Sequence, residues 1–133
     1  MKSRDTLIRL KRFQAEEKRR RVAQIEAMIA EFGRMAADLD REIALEEQRS
    51  GISDMSHFAY STYARAARGR RDNLKQSSED LRPQLEEAKA RHAEALEELG
   101  KAQSLDGREK GDRLEPLRER VDMDMIGLGA SRP

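Results

Sequence analysis

The sequence contains no cysteine and no tryptophan, and only 4% of its 133 residues are aromatic. The lack of cysteine excludes disulfides, thiolate nucleophiles and zinc–thiolate sites. No apolar stretch reaches the roughly 18 residues that would span a membrane. The N-terminal segment also lacks the apolar stretch of a secretory signal. From these absences we expect a cytoplasmic protein.

Large apolar side chains are also scarce, which argues against a thick globular core and a deep catalytic pocket. Charged residues make up 40% of the chain, but 27 basic residues balance 26 acidic ones. Compositional disorder needs a large net charge, so the balance favours a folded chain. Ala, Glu, Lys, Leu and Arg together exceed half of the sequence. This composition is typical of long helices and coiled coils.

One apolar series in the first half of the chain has heptad spacing. Its members are Val22, Ile25, Ile29, Phe32, Ala36, Leu39 and Ile43. Gaps that alternate between three and four residues are typical of a coiled-coil helix, and no proline interrupts residues 1–50. The spacing predicts a helix over about 5–48. Upstream, Leu7, Ile8, Leu10 and Phe13 leave this frame, so we expect a stutter near 18–21.

Residues 50–56 break the pattern and predict a short loop. Gly51 is suited to end the first helix, and Asp54 or its neighbouring serines are suited to cap the next. A second series with the same alternating gaps predicts a second helix over about 57–104. Its members are Tyr60, Ala64, Ala67, Arg71, Leu74, Ser78, Leu81, Leu85, Ala88, His92, Ala95, Leu99 and Ala102.

Proline and glycine limit the second helix. The series stays in phase across Pro83, so we expect a kinked helix there, with a new helix capped by Ser77 or Ser78 as the alternative. From residue 106 onward several glycines and prolines punctuate the sequence. They predict a mobile tail over 106–133, with at most a short helix over 113–124.

Together the two series predict an all-α fold, a long antiparallel two-helix coiled-coil hairpin over 1–105. The charges agree with this arrangement. Residues 2–21 carry a net charge of +6 and would lie near 86–101, with a net charge of −2. At the loop end, 38–47 carry −4 and would face 65–72 with +3. A parallel homodimer would bring two +6 segments together, so a monomeric hairpin is favoured over a homodimer or a homo-oligomeric scaffold.

No constellation for catalysis or metal binding is visible. His57 with Asp54 offers two metal ligands, whereas a site needs three or four. His92 falls in the second series, where a partly buried polar residue limits register slippage. No serine-nucleophile, phosphate-loop or dinucleotide-binding motif is present. We expect a non-enzymatic protein without a cofactor, a metal or a small-molecule substrate.

The aromatic residues Phe58, Tyr60 and Tyr63 cluster near the predicted loop. A two-helix hairpin buries only one face of each helix, so at least one of them should be exposed or should cover the loop. Exposed aromatics favour partner docking, and local packing around the loop is the alternative. The basic run at 18–21 is expected to face solvent or an acidic partner, with nucleic acid as the less favoured alternative.

Two non-periodic segments resemble the FliJ family of bacterial flagellar export proteins, in its alphaproteobacterial form. They are the start of the chain over 1–21, with its Ser-Arg-Asp-x-Leu-x-Arg-Leu-Lys-Arg-Phe stretch, and the residues 51–54, followed by His57, Phe58, Ala59, Tyr60 and Tyr63. The resemblance implies a coiled coil similar to the central stalk of rotary ATPases. It also implies binding to the flagellar export ATPase and to the membrane-embedded export gate, and cycling of export chaperones.

The resemblance assigns candidate residues to each partner. The ATPase-facing part is the free ends of the hairpin, and it maps onto the far end of the second helix and residues around Leu7, Leu10, Phe13, Arg19 and Arg20. The gate contact maps onto Phe58, Tyr60 and Tyr63. The implied location is cytoplasmic, with peripheral association at the membrane export apparatus. The alternative function is a nucleic-acid-binding helical hairpin that uses the basic N-terminal helix, and its signature would be an affinity that falls steeply with salt.

Overall fold

The computed structural model describes the backbone of residues 2–130 and the side chains of residues 3–108. Helix α1 spans Lys2–Ser50 and helix α2 spans Thr62–Ala130. The two helices pack against each other as an all-α helical hairpin, and residues 2–130 contain no strand. The predicted fold class is therefore confirmed. Within the described residues, neither helix contains a stretch long and apolar enough to cross a bilayer.

The chain divides into two compact units. The terminal unit consists of Met1–Glu16 and Ala93–Pro133, and the loop unit consists of Glu17–His92. Each unit therefore combines a part of α1 with a part of α2. In the terminal unit, the Lys11 ammonium lies 2.9 Å from a carboxylate oxygen of Glu98.

Both predicted apolar series form the packed faces of the helices, here called the seam. Every member of both series is buried or only partly exposed. The buried members on α1 are Ile25, Ala36 and Ile43, and those of the second series are Tyr60, Ala64, Ala67, Ala88 and Ala102. Because alanine fills most buried positions of α2, the core contains few large side chains. Ile25, at 1% exposure, is the largest side chain that is fully buried.

The first turns of α1 keep the same heptad frame, so the predicted stutter near 18–21 is wrong. Upstream of Val22 the seam continues through residues that are all buried or partly exposed: Arg4, Ile8, Lys11, Ala15 and Lys18. Polar residues occupy three of these five positions. A search for regularly spaced apolar residues therefore does not detect the heptad frame here. Ile8 belongs to the seam, whereas Leu7, Leu10 and Phe13 lie outside it.

Opposite charges meet across the helices, as the charge pattern predicts. In the loop unit, Arg71 donates to Asp40 at 3.0 Å, and Arg68 donates to Glu47 at 2.6 Å. Its hydrogen bonds to Asp40 and to Asp72 raise the pKa of the Arg71 guanidinium. Surface ion pairs contribute little to stability individually. Their main effect is to favour this alignment of the helices over a shifted one.

Gly51 ends α1, as the sequence predicts. Its φ of 72° lies in the left-handed region that glycine adopts without steric cost. The N–H of Gly51 donates to the carbonyl of Glu47 at 2.9 Å. This geometry is common where helices stop.

Helix α2 begins at Thr62, five residues after the predicted start at 57. The predicted caps between 53 and 56 are wrong, because Ser61 caps the helix: its hydroxyl accepts a hydrogen bond from the Ala64 N–H at 3.2 Å. Asp54 instead closes a turn by accepting the Ser56 N–H at 2.9 Å. His57 closes the next turn by accepting the Ala59 N–H on Nδ1 at 3.0 Å. These side-chain bonds compete with helix formation.

Helix α2 runs through Pro83 without a break, so no new helix starts at Ser77 or Ser78. Its backbone extends to Ala130, past the predicted end at 104. The partly exposed Asp106 lies four residues after Ala102 and keeps the seam spacing, and a glycine inside a helix costs only about 1 kcal/mol. Residues 131–133 and the side chains from 109 onward lie outside the described residues, so the mobility of 106–133 stays a prediction.

Candidate functional site

The candidate partner-binding residues fall on two surfaces, one in each unit. The terminal surface consists of Leu7, Leu10 and Phe13 on α1. The loop-end cluster consists of Phe58, Tyr60 and Tyr63. The remaining candidates, Arg19 and Arg20, are exposed and belong to the loop unit. The structure therefore does not bring all five predicted ATPase-facing residues into one unit.

The terminal surface is an apolar stripe that the hairpin does not cover. Leu7, Leu10 and Phe13 are 42%, 49% and 57% exposed. Leu10 lies two residues after the seam residue Ile8, roughly 200° further around the helix. Its side chain therefore points away from α2. Single exposed apolar residues are normal on protein surfaces, but these three follow one another at intervals of three residues, which makes their side chains neighbours along the helix.

Another exposed apolar residue of the terminal unit, Leu105, lies near the start of α1. Leu105 on α2 is 57% exposed, and its carbonyl accepts a hydrogen bond of 3.4 Å from the Arg4 guanidinium. The seam residue Arg4 thus connects the first turn of α1 to α2. Sequence reasoning missed Leu105 because it lies outside both apolar series.

Tyr60 is buried, and this corrects its prediction as a docking residue. Its ring is 5% exposed. Its hydroxyl donates to Glu47 Oε1 at 2.7 Å and accepts from Arg68 Nε at 2.8 Å. Arg68 Nη2 also donates to Glu47 Oε1, at 2.6 Å. Tyr60, Glu47 and Arg68 therefore form a closed triad that ties the end of the loop to both helices, and the ring is not available to a partner.

The triad changes the acid–base properties of its members. Hydrogen bonds from Arg68 and Tyr60 lower the pKa of Glu47, because they favour its carboxylate form. The hydrogen bonds that Arg68 donates to Glu47 and to the Tyr60 hydroxyl raise the pKa of its guanidinium. The Arg65 guanidinium lies 5.4 Å from the centre of the Tyr60 ring, within cation–π distance. Three charged groups thus hold the tyrosine in the seam.

The lowered pKa of Glu47 predicts a pH-dependent stability. Because the pKa is lower in the folded state, the carboxylate stabilises the hairpin fully above its ordinary pKa of 4.5. This contribution is lost as the pH falls through the folded-state pKa. Urea denaturation between about pH 7 and pH 3, followed by circular dichroism, should show a steeper loss of stability for the wild type than for Glu47→Gln.

The matched control for this measurement is Glu79→Gln. Glu79 is 66% exposed and pairs with Arg82 within α2, so its substitution should leave the pH dependence close to that of the wild type. Asp54 and Glu98 also have lowered pKa values and contribute to all three profiles equally. An unchanged pH dependence in Glu47→Gln would show that the triad does not stabilise the folded state through its carboxylate.

Phe58 is 97% exposed, which confirms that at least one aromatic residue of the cluster faces solvent. Its ring stacks on His57, with ring centroids 4.8 Å apart. The loop around it is held by hydrogen bonds, including Arg65 Nη2 to the Met55 carbonyl at 2.9 Å. Phe58 is therefore an apolar side chain presented to solvent by a well-connected loop. Aromatic residues, phenylalanine included, are enriched at protein–protein interfaces relative to the rest of the surface.

Tyr63 is 55% exposed but held in place. Its hydroxyl donates to Glu42 Oε2 at 2.9 Å, and the nearby carboxylate raises the pKa of the tyrosine. One face of the side chain lines a shallow cavity of about 310 Å³ that also contains Leu45, which is 55% exposed. Sequence reasoning missed Leu45 because it occupies neither of the two heptad positions that form the seam.

The described side chains contain no group of three or more His, Cys, Asp or Glu residues that could hold a metal ion. The open cavities and exposed side chains are instead surfaces that another molecule can contact. Comparisons with protein-family models, with curated proteins and with solved structures found no match for this chain.

Proposed function

We propose that the protein is a non-enzymatic, stalk-like component of the bacterial flagellar export apparatus. In this proposal the terminal surface binds the export ATPase ring, and Phe58 with Tyr63 contacts the export gate. The observation that carries the proposal is the exposed stripe of Leu7, Leu10 and Phe13. It lies in the segment whose sequence resembles the FliJ family, on a helix whose own seam is filled by other residues.

The chemistry of the terminal surface supports a protein partner. Apolar side chains that lie uncovered on a helix gain free energy when a partner removes them from water, about 1.5–3 kcal/mol for a leucine or phenylalanine that becomes fully buried. The surrounding segment, 2–21, carries a net charge of +6. A partner surface with apolar pockets and a surplus of carboxylates would complement both features.

The loop-end cluster supports a second contact of a different kind. Phe58 is almost fully exposed, and Tyr63 is fixed by Glu42 with its ring half-exposed. Both can enter a partner's pocket with little loss of side-chain freedom. Tyr60 is left out of this contact because it fills the seam. Binding of export chaperones belongs to the same proposal and rests on the resemblance alone.

Co-purification with the export ATPase tests the proposal. The wild-type chain is expected to bind the ATPase and to stimulate ATP hydrolysis or assembly of the ATPase ring. The double variant Leu10→Ser, Phe13→Ser should bind roughly 10–100-fold more weakly, because two buried apolar contacts are lost. Neither side chain lies in the seam, so the double variant should remain helical by circular dichroism.

The matched control is Phe58→Ser, which removes a still more exposed aromatic residue from the loop unit. It should bind the ATPase with unchanged affinity, since the proposal assigns that residue to the gate. Failure of the wild type to bind either the ATPase or the gate protein would overturn the proposed function. Equal binding by the double variant would remove the terminal surface from the contact.

A further inference from the structure

His57 is the residue that holds the loop in its turns beside Phe58. Its backbone N–H donates to the Asp54 carbonyl at 3.1 Å, and its carbonyl accepts the Tyr60 N–H at 3.0 Å. Its ring stacks on Phe58 with an interplanar angle of 20°, and its Nδ1 atom accepts the Ala59 N–H at 3.0 Å. One exposed side chain therefore fixes both the turn that follows it and the phenylalanine next to it.

The hydrogen bond from Ala59 defines the protonation state of the ring. A backbone N–H only donates, so the Nδ1 atom that accepts it carries no proton. The ring of His57 is therefore neutral, with its proton on Nε2. A second proton on Nδ1 would set two donors against each other, and the bond to Ala59 would be lost. Histidine is the side chain whose charge ordinarily changes between about pH 5 and pH 8.

The charged groups around the loop give a protonated ring a different partner. Asp54 is the only carboxylate of residues 51–61. Hydrogen bonds from Ser56 lower the pKa of the Asp54 carboxyl group, and the positive charge of His57 lowers it further. On the helices, Arg65 of α2 donates to a loop carbonyl, and Glu47 of α1 is engaged in the triad. The charge within the loop that attracts a protonated ring is therefore that of Asp54.

We propose that His57 is a pH-dependent switch that controls how the loop presents Phe58. With a neutral ring, Nδ1 holds the Ala59 N–H and the ring packs against Phe58. With a protonated ring, the bond to Ala59 is released, the ring turns towards the Asp54 carboxylate, and Phe58 loses its fixed position. The turn closed by Asp54 and Ser56 is kept in both states, because neither of its hydrogen bonds involves the ring.

The consequence for binding rests on the proposed function, in which Phe58 contacts the export gate. A partner loses less free energy on binding a side chain that is already held in place. The net contribution of one hydrogen bond corresponds to roughly a fivefold change in an equilibrium constant. The gate protein should therefore bind the wild type roughly fivefold more weakly at about pH 5.5 than at about pH 8, and His57→Asn without that change.

NMR spectroscopy on the full chain tests the switch without any partner. Between about pH 8 and pH 5.5, the Ala59 amide signal should shift in one transition together with the ring signals of His57. The backbone order parameter of Phe58 should fall from about 0.85 towards 0.6. His57→Asn should abolish the transition and keep the order, because an asparagine oxygen also accepts an N–H two residues ahead and does not titrate. His57→Ala should be mobile at both pH values.

The matched control is His92→Gln, because His92 is the second of the two histidines and lies in the seam of α2. Its Ala59 amide should titrate as in the wild type. An Ala59 amide that does not follow the His57 ring, or a transition that persists in His57→Asn, would overturn the switch. So would a transition that disappears in His92→Gln. If the NMR transition is present but gate binding is the same at both pH values, the switch stands and the assignment of Phe58 to the gate is wrong.

Discussion

Replacing Ile25 with alanine is expected to lower the free energy of unfolding by about 3 kcal/mol. Ile25 is 1% exposed, so the substitution removes buried methyl and methylene groups and leaves a cavity that neighbouring side chains fill only in part. Few neighbouring side chains can move to fill this cavity. Most buried positions around the seam are alanines, which have no longer side chain to move into the space.

Met28→Ala is the matched control for this substitution. Met28 lies one helical turn further along α1 and is 39% exposed, so its truncation should cost well under about 1 kcal/mol. Urea denaturation of both variants, followed by circular dichroism, gives the two free energies. A cost for Ile25→Ala no larger than that for Met28→Ala would show that the seam contributes little to the stability of the loop unit.

The fold was predictable because both apolar series repeat with the same alternating gaps. That spacing depends only on helix geometry, and burial in the structure follows it at every position of both series. The frame at the start of α1 was not predictable from apolar residues. Arg4, Lys11 and Lys18 occupy seam positions there. The leucines of the same segment, Leu7 and Leu10, lie outside the seam and are exposed. Hydropathy reports which residues are apolar, not which of them the partner helix covers.

The loop was harder to predict because side chains, rather than backbone propensity, decide where α2 begins. Asp54 and His57 each accept a backbone N–H two residues ahead and hold the chain in turns. Several residues in this segment can cap a helix, and their order alone does not identify Ser61 as the one that does. Local competition of this kind is invisible to a periodic pattern.

The candidate sites were predictable in part. Because each helix buries only one face, the hairpin cannot cover the whole aromatic cluster, and Phe58 and Tyr63 are its exposed members. The role of Tyr60 could not be derived, because it depends on Glu47 and Arg68, which lie 13 and 8 residues away along the chain.

The terminal surface departs from the pattern of an isolated hairpin. There α1 carries three apolar side chains, Leu7, Leu10 and Phe13, outside the seam. Such departures reduce the stability of an isolated hairpin, and sequences that fold well usually avoid them. The proposed contact with a partner would account for this departure, because it would remove the three side chains from water.

Replacing Tyr60 with alanine is expected to destabilise the hairpin by about 3–5 kcal/mol. The substitution empties a seam position that is 5% exposed. It also removes the hydroxyl between Glu47 and Arg68 and the ring beneath the Arg65 guanidinium. Both the packing and the polar triad that hold the loop to the helices are lost together.

Tyr60→Phe separates these two contributions. It keeps the ring in the seam and leaves the direct contact between Arg68 and Glu47 in place, so it should cost only about 1–2 kcal/mol. Urea denaturation provides both values, and amide hydrogen exchange over residues 51–61 should show faster opening of the loop in Tyr60→Ala than in Tyr60→Phe. If the two variants are equally stable, the hydroxyl alone anchors the loop and the buried ring contributes nothing. If neither differs from the wild type, the loop end is held by the capping bonds of Gly51 and Ser61 without the triad.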